Sequence, residues 1–172
     1  MAFGFFQRDA GLPTRLIPVT TTVLFAIISV VPLHIPGFAV VTPAFALMAV
    51  YHWTVYRSDL LPPIAVFGVG LLLDVLNATP YLGTSSLSLL LVRSALLSQR
   101  RFLINQPFPI VWSGFLLVTG AVFFFEWAVV SFVHTGPLSA QPFIFGAVLT
   151  VASFPVGSYL LARTQRSFLM RV

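Results

Sequence analysis

Six apolar segments separated by short loops take up most of this chain and leave it few ways to fold. They run over approximately 16–33, 37–56, 62–78, 83–98, 108–133 and 141–162. Each is near the ~20 residues that an α-helix needs to cross the hydrocarbon of a bilayer. Composition agrees. Of 172 residues, 58% are hydrophobic and 8% charged, against roughly 25% charged in a soluble domain. A soluble domain of this size could not cover such a core with its remaining polar surface. The expected fold is an all-α integral membrane protein, a six-transmembrane-helix bundle forming a single domain over 1–172.

The charges orient that bundle. All nine basic residues are arginine, and eight of them lie at segment ends or loops on one side: Arg8, Arg15, Arg57, Arg100, Arg101, Arg163, Arg166 and Arg171. The loops around His34, Pro80 and His134 carry no charge. Positive residues stay on the cytoplasmic face, so both termini are expected there, as an even number of crossings requires. The net charge of +5 is then explained by orientation and by contact with anionic lipid. Nucleic acid is not expected as a partner. The first fifteen residues lack the charge-then-apolar-then-small order of a signal peptide.

Prolines mark helix starts at Pro62-Pro63, Pro107, Pro109 and Pro142, where a missing N–H costs nothing. Pro155 is expected to kink the sixth helix. Pro43 has two readings. It kinks the second helix, or, with Thr42 as N-cap, it is the first residue of a helix shortened to ~21 Å. Small residues such as Gly70, Gly114 and Gly157 suit close helix approach.

Chemistry is scarce. The chain has no cysteine, which removes disulfides, thiolate catalysis and thiolate zinc sites. It has no HExxH, and His34, His52 and His134 are not spaced as metal ligands. No enzyme, metal or cofactor is expected. Charges inside the apolar segments remain, each costing about 2.5–3.5 kcal/mol at mid-membrane. Asp74 lies ~6 Å and Glu126 ~10 Å below the outer interface, whereas Arg93 lies ~7.5 Å from the inner one. Arg93 is therefore expected to snorkel inward rather than reach Asp74. Asp74 either accepts hydrogen bonds from free amides at the start of the fourth helix, around Gly83, Thr84 and Ser85, or serves as a partner's landmark. Glu126 is either an acid hydrogen-bonded between helices or part of an outer polar patch with Asp74.

The stretch from Pro43 to Arg101 carries a familiar pattern. Pro43 is followed by a helix with aromatics at Tyr51 and Trp53, then a charged loop, then Gly70-x-x-x-Asp74-Val75-Leu76, then Leu82-Gly83 and a polar-capped helix ending in arginines. This resembles MreD, the rod shape-determining membrane protein family. The resemblance implies a non-catalytic scaffold of the cell-elongation machinery in the bacterial inner membrane. It implies MreC as the main partner, with RodA, a class B penicillin-binding protein and MreB in a larger complex. That family's fold is similar to the substrate-binding subunits of energy-coupling-factor transporters, so the alternative is a membrane subunit binding a vitamin-type small molecule.

Overall fold

The computed structural model describes residues 12–31, 43–78, 82–133 and 140–169. The expectations for His34, Thr42, Pro80, Tyr81, His134 and the run 37–41 fall outside these residues, as do those for the first eleven. Among the described residues there are six helices and no strand: α1 (Leu12–Ser29), α2 (Phe45–Arg57), α3 (Pro63–Leu76), α4 (Thr84–Leu103), α5 (Phe108–Val133) and α6 (Gln141–Leu169). Two of them, α5 and α6, are long and apolar enough to cross a membrane.

The shortest helix is the centre of the bundle. α2 has 13 residues, and it packs against α1, α4 and α6 and, more lightly, α5. Every side chain from Ala46 to Val55 is buried, including the polar His52 and Thr54. Tyr51 stacks edge-on against Phe115 and Phe154, and its hydroxyl donates to the Val111 carbonyl at 2.9 Å. Trp53 donates to the Thr21 hydroxyl of α1 at 3.0 Å. Gly157 and Gly114 bring Met48 and Tyr51 of α2 close to α6 and α5.

The start of α2 decides between the readings of Pro43: the helix is the shortened one, with 13 residues. It begins at Phe45, two residues beyond Pro43, so Pro43 does not kink it and precedes its first turn. Its free amides are met from elsewhere. Ala44 donates to the Thr150 hydroxyl of α6, and Ala46 donates to the Ser29 hydroxyl of α1, both at 3.0 Å. Hydroxyls from two distant helices thus do the work expected of a local N-cap.

Other boundaries shift too. α4 runs on to Leu103 and α6 to Leu169, beyond the expected 98 and 162. Good helix formers at the end of α4 (Gln99, Arg100, Arg101) explain the extension. α1 begins at Leu12 and ends at Ser29. Pro155 lies inside α6, as expected. The outer faces of α3 to α6 are strongly apolar, with Ile64, Phe67, Leu91, Leu117, Phe124 and Leu160 all exposed.

Candidate functional site: the α3–α4 hairpin and the cleft beside it

The hairpin of α3 and α4 brings Gly70, Asp74 and Gly83 into one unit. At Gly70 the helices approach so closely that a Cβ would overlap the backbone of Ser86. Ser86 in turn donates its hydroxyl to the Phe67 carbonyl at 3.1 Å, tying the two helices below the turn. One turn further along α3, Asp74 is fully buried. Its carboxylate accepts the backbone N–H of Gly83 at 2.7 Å and that of Ser85 at 3.1 Å. The structural reading of Asp74 is the one observed. Helix starts carry unpaired amides and a positive dipole end, and an acid from the preceding helix meets both. Gly83 has φ of 102°, a left-handed conformation that other residues adopt at a cost.

Arg93 does not reach Asp74, as expected, but it lies further from the end of its helix. Because α4 extends to Leu103, Arg93 lies ~15 Å from that end rather than ~7.5 Å. Its Nε donates to the Leu61 carbonyl at 3.2 Å, in the turn between α2 and α3. Arg100 acts similarly, donating to the carbonyls of Val55 and Tyr56 at 3.1 and 3.5 Å. Two arginines of α4 thus fasten the end of α2 and the turn after it, where carbonyls lack helical partners. Neither approaches the Asp74 end. The carbonyl contacts span 32 to 45 residues in sequence, a range that no local pattern of residues signals.

Glu126 and Pro43 meet at a cleft beside the hairpin. It has a volume of about 330 Å³, and its polar wall includes Ser29, Asn77, Ser85, Ser88 and Glu126. Leu47, Leu73, Val122, Phe123 and Phe143 supply apolar wall. Glu126 is largely buried and lies close enough to Asp74 for their carboxyl groups to interact electrostatically. Unlike Asp74, it makes no hydrogen bond to a described residue. The two acids are therefore neighbours with different situations: one is fastened and the other faces the cleft. Glu126 stands out in the sequence; Ser29, Asn77 and Ser88 do not, because serine and asparagine in helices usually bond their own backbone.

A second recess of about 510 Å³ lies against Tyr51, His52, Phe154 and Gln165. Its polar groups are largely paired: Tyr51 with Val111, and His52 Nε2 with Gln165 Oε1 at 3.3 Å. Among the described residues no group of three His, Asp or Glu side chains could hold a metal ion.

Known protein families, characterised proteins and solved structures contain no match to this chain. Function therefore rests on the residues themselves. The hairpin is fastened through Asp74, and the cleft beside it carries an acid on its wall.

Proposed function

We propose that the chain is a non-catalytic membrane scaffold of the bacterial cell-elongation machinery, acting as MreD-like proteins do with MreC and, in a larger complex, with RodA, a class B penicillin-binding protein and MreB. In this reading all six helices cross the inner membrane, with both termini cytoplasmic. The observation that carries it is the α3–α4 hairpin. Gly70, Asp74 and Gly83, which carry the resemblance, belong to one structural unit. The apolar outer faces of α3 to α6 suit a lipid surrounding, and α5 and α6 have spanning length.

The experiment is photocrosslinking in bacterial membranes, with the reactive residue placed in turn at outward positions such as Phe67, Leu91 and Leu117. A single-pass membrane protein should be captured on one face, and co-expressed MreC should be that protein. Uniform labelling of lipid from every face, with MreC never captured, overturns the scaffold.

A second reading is favoured by the cleft at Glu126. A concave, mostly apolar space with a few converging polar groups is what a small-molecule site needs. The chain would then be a membrane subunit that binds a small ligand, and a bound heterocycle in the native purification would support it.

A further inference from the structure

We propose that the cleft at Glu126 binds a small organic cation, a protonated amine carried on an apolar body. This rests on the second reading above and names the ligand's chemistry.

Most donors on the wall of the cleft are already engaged, the Ser85 hydroxyl excepted. Ser29 donates its hydroxyl to the Phe25 carbonyl at 2.8 Å and accepts the N–H of Ala46. Ser88 donates to the Thr84 carbonyl at 2.9 Å. Asn77 turns its amide N–H to the Leu73 carbonyl at 3.0 Å. The backbone N–H groups of Gly83 and Ser85 are held by Asp74. What these groups still offer is chiefly lone pairs, on the Asn77 carbonyl oxygen and the Ser88 oxygen, beside the second Asn77 amide hydrogen. To these Glu126 adds a carboxyl group with no hydrogen bond to a described residue. An anionic ligand would meet a second carboxyl group. An ammonium would meet acceptors.

Charge across the bundle points the same way. Arg93 and Arg100 are fastened to carbonyls of α2 and the α2–α3 turn, at the opposite end of the hairpin. Asp74 adds negative charge beside Glu126. The rings of Phe123 and Phe143 also line the cleft, and aromatic faces attract cations. At about 330 Å³ the space suits a single small molecule rather than a helix.

The test uses the full chain in nanodiscs of neutral phosphatidylcholine, with empty nanodiscs as the blank. Phenethylammonium, 2-phenylethanol and 3-phenylpropionate share an aromatic body and differ in charge, and each is titrated by calorimetry. The ammonium should bind saturably and about tenfold or more tightly than the alcohol, the difference a charge-assisted hydrogen bond supplies. Glu126→Gln should abolish that preference while leaving weak binding of the alcohol. Glu126→Asp, which keeps the carboxyl group, should retain the preference, so a loss in Glu126→Gln is not read as misfolding. Equal binding of ammonium and alcohol, or a preference that survives Glu126→Gln, overturns the proposal. Saturable binding of only the alcohol or the propionate overturns the cation and leaves the small-molecule reading standing. Binding of none of the three overturns both.

Discussion

Asp74 of α3 accepts the backbone N–H of Gly83 at 2.7 Å, holding the start of α4 with a side chain nine residues upstream. With the second bond from Ser85, one carboxylate serves two amides that a helix start leaves without intrahelical partners. The local chain supplies the connection, and the helix dipole favours the charge.

Removing that carboxylate should loosen the turn before it loosens the bundle. Asp74→Ala is expected to cost about 2–4 kcal/mol, because buried donors are left unpaired. Asp74→Asn keeps one acceptor oxygen and should cost roughly half as much. Thermal unfolding in detergent gives the ranking. Amide exchange should rise first at Gly83 and Ser85.

Two nearby glycines of α3 should respond oppositely to the same change. Gly70→Ala forces α3 away from the Ser86 backbone and should cost about 1–3 kcal/mol, the range for overpacking. At Gly68 an added methyl would meet open space, so Gly68→Ala should be neutral or stabilising by up to about 1 kcal/mol through helix propensity. Melting temperatures of the pair, measured side by side, check the contrast.

The buried start of α2 depends on hydroxyls rather than on its own sequence. Ser29→Ala and Thr150→Val each remove the acceptor for one amide, Ala46 or Ala44. Each should cost about 1–2 kcal/mol, as for loss of a helix cap. Both caps serve the first turn of one helix, so the double variant should depart from additivity. Equilibrium unfolding of the two single variants and the double variant completes the cycle.

Arg100 should matter as a donor to carbonyls more than as an ion-pair partner. Its contact with Asp59 is 3.8 Å long, and Asp59 is 65% exposed, so Asp59→Ala should change stability by less than about 1 kcal/mol. Arg100→Ala should cost more, because the Val55 and Tyr56 carbonyls lose their donor. Repeating both measurements in high salt separates the effects: the Asp59 contribution should vanish and the carbonyl contribution should persist.

What could be read from the sequence follows the range of each interaction. The bounds of α5 and the start of α6 at Gln141 were legible because prolines and long apolar runs are local signals. The bonding of Asp74 to the start of α4 was legible as one of two readings, because a tight hairpin limits what the acid can reach. The role of α2 was not. It is less apolar than α1 and α3, and its burial arises from helices up to 106 residues away, as the Ala44–Thr150 bond shows. The same holds for Arg93, whose partner Leu61 is 32 residues away. Serines such as Ser29 and Ser88 gave no hint of a shared wall, since only the packing of α1, α2, α4 and α5 brings them around Glu126.

The central position of α2 has a consequence for how the protein comes into being. Synthesis delivers α2 second, yet α4 and α6, which surround it, emerge later. Until Thr150 is made, the Ala44 amide lacks the partner it has in the finished molecule. The innermost helix is thus among the last to be settled, and a nascent chain halted before α6 exposes its own future core. Emergence of α6, rather than of the first hairpin, is the step that supplies the last of these partners.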